Sequence, residues 1–421
     1  MRTKEKIIVI GGGFAGLQFI RHLNSSDFDV LLIDRLNHHQ FQPLFYQVAA
    51  AQIEPASISF PLRKIFQGKR NLQIRMEEAV QIIPEENTLV TTGNRYIYDR
   101  LVLATGCSTN FFGLKGVEEQ AFTLKSTGEA INIRNSVVRN LETIISSGPE
   151  AREALYNIVI AGAGPTGVEL AGAFAEMKKN ILPKDYPGLD SSRITITIIE
   201  GKEYPLSTMS PESQQAALSY LQKLGVRLYM KSFVTDYSNE TVTMNSGESI
   251  RTASLIWTGG ITGNTVHGLD KAGVTKNGRI PVDAHHRVAG YQDIYALGDI
   301  ALMRTALYPE GHPQVANVAI NQGRSLASAI NRGTPGPPFE YKDLGSLATI
   351  GKFKAVADLP FLKFQGFFAW MFWMFLHLML ILSVKNKIII FINWVWSFFT
   401  NDSSLRLILR DQHRPLQETQ E

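Results

Sequence analysis

The sequence predicts an α/β protein built from two parallel-sheet domains, each opening on a strand–glycine loop–helix–strand unit. Three observations carry that prediction. Apolar β-rich runs alternate with helical stretches at Ile7–Ile10, Val30–Ile33, Leu101–Ala104, Ile158–Ala161, Ile194–Ile199, Leu255–Thr258 and Ile294–Leu297, the pattern of a mostly parallel sheet covered by helices. The strand–loop–helix unit that begins at Ile7 is repeated at Ile158. The chain of 421 residues is also long enough for two or three domains with several buried cores.

Composition removes several function classes. Hydrophobic residues make up 44% and charged residues 19%, which fits a globular chain and not a disordered one. The formal net charge is +4, with no basic stripe interleaved with aromatics, so no nucleic-acid partner is expected. Cys107 is the single cysteine. It excludes an intrachain disulfide framework, a CxxC metal site and a catalytic dithiol, and suits a reducing compartment. The N-terminus runs from Met1 into the strand at Ile7 without an apolar stretch and cleavage site, so no secretory signal is read.

The first loop is Gly11-Gly12-Gly13-Phe14-Ala15-Gly16, between the strand Ile7–Ile10 and a helix, with Asp34 closing the next strand. This is the Rossmann-like fingerprint in its proper context. Gly11 permits the tight turn, Gly13 lets a pyrophosphate approach the backbone, and Gly16 lets helix and strand pack closely. The phosphates then lie on the helix N-terminus, where amide hydrogens and the dipole favour anions. Asp34 accepts hydrogen bonds from the ribose hydroxyls.

The second loop is Gly162-Ala163-Gly164-Pro165-Thr166-Gly167, and its following strand ends in Glu200. The longer distance to that acid is taken up by Met177–Arg193, which reads as a helix end and surface loop. A carboxylate there suits a free 2′-hydroxyl and repels a 2′-phosphate, so NADH is expected over NADPH. FAD is assigned to the first loop because later segments complete its site. Gly298-Asp299 ends a strand, with Asp299 within reach of ribityl hydroxyls, and Ala104-Thr105-Gly106 is a second strand end of the same kind. The FAD set is therefore Gly11, Gly13, Phe14, Ala15, Gly16, Asp34, Arg35, Ala104, Thr105, Gly106, Gly298 and Asp299. The NADH set is Gly162, Gly164, Pro165, Thr166, Gly167, Glu200, Gly259 and Gly260. His38 and His39 beside the first site, and His285 and His286, lack partners at ligand spacing, so no metal is expected.

With these motifs the chain resembles the two-dinucleotide-binding flavoproteins, and more narrowly the type II (non-proton-pumping) NADH:quinone oxidoreductases. The resemblance covers nearly the whole chain. Beyond the loops it rests on the stretch from Asp34 through Leu44-Phe-Tyr-Gln-Val-Ala, on Gly164-Pro-Thr-Gly-Val-Glu-Leu-Ala-Gly, on Gln314-Val-Ala-Asn-Val-Ala-Ile-Asn-Gln322-Gly, and on Leu344 to Ala357. It implies electron flow from NADH through FAD to a membrane quinone, without proton pumping. It also implies that Glu169 lies near nicotinamide and flavin and counts with the NADH residues. Gln314 and Gln322, eight apart on one predicted helix, would line the quinone pocket, with Gln314, Val315 and Ala316 reaching the flavin. Ala316 and Ala319 would keep that helix surface low. Glu169, Gln314 and Gln322 are thus the catalytic candidates. Glu176, seven residues after Glu169 on the same helix face, reads as a solvated or capping carboxylate.

After Val356 the composition shifts to aromatics and long aliphatics. Phe364–Val384 has no Asp, Glu, Lys or Arg and is long enough to span a bilayer, but Gln365, Gly366, His377 and Ser383 interrupt it. Ile388–Phe399, with Asn393, Trp394 and Trp396, is too short to span. Two inserted helices, with Lys385, Lys387, Arg406 and Arg410 towards anionic lipid, look like a monotopic anchor through residues 361–410. The bland alternative is a core or dimer helix pair. The expected organisation is a discontinuous FAD domain (1–115 and 271–335), an inserted NADH domain (116–270), an interface segment (336–360), and anchoring helices with a frayed tail (361–421). The expected location is the cytoplasmic face of the cell membrane, with a homodimer allowed. Sulfide:quinone oxidoreductases share this architecture but need a redox pair of cysteines. A soluble-acceptor, ferredoxin-type reductase conflicts with the aromatic tail. A membrane-bound redox sensor is the remaining alternative.

Overall fold

A computed structural model of the chain describes residues 4–24, 27–148, 151–402 and 405–409. All seven predicted strands are present, with ends within two residues of those read from the sequence. The chain divides into two units: 1–40 with 59–110 and 261–343, and 41–58 with 111–260 and 344–421.

The first unit is organised by a five-stranded parallel sheet in the order Ile294–Ala296, Arg100–Leu103, Glu5–Ile10, Phe28–Asp34, Leu72–Met76. Ile7, Ile8 and Val9 are wholly buried, because a parallel strand carries covering layers on both faces and so reads as a continuous apolar run. The loop helix Phe14–His22 packs on the helix Ala316–Arg332. Gly323 makes that approach feasible, since a Cβ there would stand 2.4 Å from the Ala15 carbonyl oxygen.

The second unit repeats the plan with Phe122–Thr123, Ser254–Trp257, Asn157–Ala161, Thr195–Glu200 and Arg227–Met230, again all parallel. Its loop helix runs from Pro165 to Asn180. In the segment expected to be a helix end and surface loop, the helix ends at Asn180, and Leu182–Asp185 forms a further short helix where loop was expected. Leu182 is buried, so this stretch is packed on one side and the apolar contact holds it helical.

The C-terminal part of the second unit begins with an antiparallel sheet, Ser346–Thr349, Ala355–Leu359 and Leu362–Gln365. The charge-free run is therefore not one helix. Its first residues are strand, Gly366 turns at φ +83°, and the helices Phe367–Leu380 and Val384–Thr400 follow. They have 14 and 17 residues, so they rise only about 21 and 26 Å, short of the ~30 Å hydrocarbon core. No helix among the described residues is long and apolar enough to cross a membrane. Each buries a narrow stripe, Ala369 with Trp373 and Ile390 with Trp394, while Phe368 and Phe399 are about three-quarters exposed.

Two of the four basic residues expected to face lipid are engaged with protein groups. Asn401 stops the helix in the left-handed region, and Arg406 pairs with Asp185 and Asp402. Lys387 Nζ donates to the Met379 carbonyl, 2.9 Å away, at the end of the preceding helix. Lys385 is exposed. Arg410 and the tail 411–421 lie outside the described residues.

Candidate functional site

Both glycine loops are built on the same backbone plan. Gly11 has φ +104° and Gly162 has φ +106°, a region that side chains reach only with strain. A Cβ on Gly16 would lie 2.0 Å from the Gly11 carbonyl oxygen, and one on Gly167 would lie 2.0 Å from that of Gly162. Gly13 and Gly164 face open space, with nothing within 4 Å of a Cβ. That open face at a helix N-terminus is where a pyrophosphate can reach the amides. Pro165 stands in the first turn of its helix, where its missing N–H is not needed, and Thr166 is exposed beside it.

The two acids are held alike. Gly12 N–H donates to Asp34 Oδ2 (2.6 Å) and Leu36 N–H to Oδ1 (2.7 Å). Ala163 N–H donates to Glu200 Oε2 (2.6 Å) and Lys202 N–H to Oε1 (2.8 Å). Each oxygen keeps a lone pair, so each carboxylate remains able to accept from a ribose. Burial raises the Asp34 carboxyl above its usual range, against the Gly12 and Leu36 amides.

Around the first loop, Ala104, Thr105 and Gly106 end the neighbouring strand. Thr105 Oγ1 donates to the Asn264 carbonyl at 2.6 Å, and Asn264 Nδ2 returns a bond to the Thr105 carbonyl at 2.9 Å. Phe14 meets His39 edge-on, with ring centroids 5.1 Å apart. Arg35 is largely exposed, 3.6 Å from Glu78. Gly298 turns at φ +72° and donates its N–H to Gln322 Oε1 at 2.7 Å, while Gln314 Nε2 donates to the Asp299 carbonyl at 2.9 Å. Cys107 Sγ donates to Asp299 Oδ2 at 3.1 Å.

The two glutamines therefore converge on one turn, but not from one helix. The helix starts at Ala316, with Val315 extended at its cap, so Gln314 precedes it. The Val315 N–H is taken by the Pro313 carbonyl at 3.0 Å, a tight turn that keeps Val315 out of the helix. Gln322 is 1% exposed and spends its carbonyl on the Gly298 turn. Ala316 is partly exposed and Ala319 is buried, its Cβ 3.2 Å from where a Gly298 Cβ would stand.

In the second unit, Gly259 and Gly260 follow the strand that ends at Trp257, and Thr258 Oγ1 donates to the Ala161 carbonyl at 3.0 Å. Glu169 lies one turn into the loop helix, 8% exposed. Burial pushes its carboxyl up to about 8, against the pull of the Thr349 amide 3.4 Å away.

The comparisons with known proteins agree with this geometry. The pyridine nucleotide-disulphide oxidoreductase family matches residues 5–323, and the NDH2 C-terminal domain matches 344–401. A type II NADH:quinone oxidoreductase of Mycobacterium tuberculosis is 32% identical, over 97% of this chain and 91% of that protein. The chain belongs to the type II NADH:quinone oxidoreductases. The structure of NDH2 from Plasmodium falciparum in complex with NADH shares the fold, with a TM-score of 0.89 at 22% identity over 97% of this chain and all of that one. The sulfide:quinone oxidoreductase of Aquifex aeolicus follows at a TM-score of 0.72 and 20% identity, over 94% of this chain and 95% of that one.

Three features of this type II oxidoreductase escaped the sequence reading. His39 is 2% exposed and its Nδ1–H donates to the Gly12 carbonyl at 3.0 Å; burial lowers it to about 4, so it braces the first loop as a neutral ring. The segment Phe41–Ile58 packs in the second unit, where Gln47 donates to the Tyr46 hydroxyl (2.9 Å) and accepts from Trp394 Nε1 (3.0 Å). The turn at Gly351–Lys352 approaches the loop helix at Gly172, where a Cβ would stand 2.8 Å from the Gly351 nitrogen. The signal for the last was present: Glu169, Gly172, Ala173 and Glu176 recur at one-face spacing. Among the described residues no group of three or more His, Cys, Asp or Glu is arranged to hold a metal ion.

Proposed function

We propose that the chain oxidises NADH with FAD and passes the electrons to a quinone at a membrane surface. FAD supplies the acceptor for the hydride and the donor for the quinone. The residues of the chain supply orientation and electrostatics, which is what hydride transfer between stacked rings needs. In this reading 1–115 and 271–335 hold FAD through Gly11, Gly13, Gly16, Asp34 and the Gly298–Asp299 turn. Residues 116–270 hold NADH through Gly162, Gly164, Gly167 and Glu200, with Glu169 near the reacting rings. Gln314 and Gln322 act by fixing the Gly298–Asp299 turn.

The observation that carries the reading is the duplication of an open glycine cradle with a doubly clamped carboxylate in a chain whose single cysteine cannot form an internal dithiol. Two dinucleotides fit, and no thiol pair stands between flavin and acceptor. The membrane side rests on the two C-terminal helices, whose exposed faces carry Phe368, Phe375, Trp396 and Phe399. An apolar face of that size needs an apolar partner, and helices too short to span suit monotopic insertion, here assigned to the cytoplasmic face of the cell membrane. In an anaerobic cuvette, NADH should bleach the flavin and a ubiquinone or menaquinone analogue should restore its colour over many cycles. A flavin that is reduced once and then stays reduced would overturn the quinone reading in favour of a sensor.

A further inference from the structure

The second loop helix carries more than a dinucleotide cradle. Between Glu169 and Glu176 its face holds only Gly172 and Ala173; the hairpin main chain packs on Gly172, and the small Ala173 leaves room beside it. A cavity of about 80 Å³ lies along it, lined also by Tyr46, Thr349, Lys352 and Trp373. A buried water needs roughly 10–15 Å³ by this measure, so several fit. Polar groups line it: the Glu169 carboxyl with the Trp373 indole N–H beside it at one end, and the Glu176 carboxyl at the other. Seven residues of helix separate the carboxyls by about 10 Å along the axis, a span that two or three waters bridge.

The ends of this cavity differ. Glu169 is buried, whereas Glu176 is partly exposed and accepts the Lys352 N–H through Oε1. Lys352 Nζ is turned away, donating to the Phe398 carbonyl (2.7 Å) and Asn401 Oδ1 (2.6 Å). The charges acting on Glu176 are Lys352 and Lys354 from the hairpin and Lys179 from its own helix. Tyr46 faces both carboxyls from the Phe45–Ala49 helix. The two C-terminal helices line the cavity with Trp370, Trp373, Met374, Trp394, Ser397 and Phe398, none of them ionisable. Burial raises the Glu176 carboxyl, and the Lys352 amide and the lysines pull it back.

The reaction proposed above is NADH + H⁺ + quinone → NAD⁺ + quinol. The hydride carries both electrons and one hydrogen, so one proton per turnover enters from solvent. We propose that Glu169 gives this second proton to the reduced quinone, and that Glu176 and the cavity beside it form the inlet through which solvent reprotonates Glu169. Glu176 is thus a positioning residue acting through Glu169, and the proposal rests on the quinone reading of the site.

The test uses the full-length holoenzyme. Glu176→Gln keeps an oxygen for the Lys352 amide but cannot pass a proton. Steady-state quinone reduction should match wild type near pH 6 and fall about tenfold by pH 9, with a larger solvent deuterium isotope effect. Stopped-flow bleaching of the flavin by NADH, which draws no proton through the inlet, should be unaffected. Added formate or azide, small enough for the cavity, should restore the alkaline rate. Ala173→Val, which narrows the cavity and leaves both carboxyls, should show the same alkaline loss. A wild-type pH profile and isotope effect in both variants would overturn the inlet, as would equal slowing of NADH bleaching. Failure of the underlying reading looks different: Glu169→Gln would then leave quinone turnover unchanged at every pH.

Discussion

The two glycine loops are near copies in backbone and differ in what stands behind them. Behind Gly11 is main chain: a Cβ there would lie 2.2 Å from the Ala104 carbonyl oxygen. Behind Gly162 the nearest atoms stand further off: the Thr258 side-chain oxygen at 2.9 Å and the Gly259 nitrogen at 3.0 Å. The helices diverge further. Phe14–His22 has nine residues, no acid in its sequence, and a neighbour helix fitted against it at Gly323. Pro165–Asn180 has sixteen, and its extra turns carry Glu176. One cradle is closed by tight packing; the other has a looser backing and a longer helix that brings chemistry to the hairpin at Gly351. The shared loop supplies binding, and the divergence supplies the difference in task.

Parallel alanine substitutions break that comparison most strongly. Each places a side chain at positive φ, a strain of about 1–3 kcal/mol. Gly11→Ala adds a clash with main chain that nothing can relieve, so the purified protein should lack flavin absorbance almost entirely. Gly162→Ala meets the Thr258 hydroxyl and the Gly259 main chain at 2.9–3.1 Å, a looser contact than the 2.2 Å at Gly11, so the flavin should stay bound and the KM for NADH should rise several-fold. Flavin loss in Gly162→Ala, with Gly11→Ala still yellow, would exchange the two cofactor assignments.

The clamped acids sharpen the comparison at smaller amplitude. Glu200→Gln retains acceptors for part of its amide clamp and loses the charge that repels a 2′-phosphate. A hydrogen bond to a charged group contributes about 1.5–3 kcal/mol, so the kcat/KM ratio of NADH to NADPH should fall about tenfold or more. Flavin content should be unchanged, whereas Asp34→Asn should lower it. An unmoved ratio would remove Glu200 from cofactor choice.

What could be read without coordinates followed from local rules. Parallel strands are apolar runs, and a glycine loop between strand and helix has one geometry, so the seven strands, both loops and both acids were legible. The limits were nonlocal. Phe41–Ile58 belongs with the second unit because Gln47 bonds Trp394, a pairing across the chain that no periodicity announces. Gln314 lies outside its expected helix because the Val315 N–H turns back to the Pro313 carbonyl, a backbone bond that the eight-residue spacing does not announce. Arg406 reads as a lipid-facing cation until the fold pairs it with Asp185. Glu176 reads as a solvated carboxylate, since charged residues mostly are, and its environment appears only when the hairpin closes over Gly172.

Glu169 gives the finest distinction between the two helices, because the first carries no acid. Its carboxyl is raised from 4.5 to about 8, chiefly by burial. Between those values the folded chain holds a proton that the unfolded chain has released. Stability contributed by this group is then full below about pH 4.5 and declines as pH rises towards 8, since the folded state binds more protons across the window. Glu169→Gln removes the titration while keeping the shape. Its melting temperature should equal wild type at pH 5 and exceed it by roughly 2–4 °C at pH 8.5, measured by scanning calorimetry with flavin bound in both. A constant offset at all pH values would mean that the carboxyl titrates in its ordinary range. Water would then reach Glu169 freely, and the second loop helix would differ from the first in length and contacts but not in holding a proton.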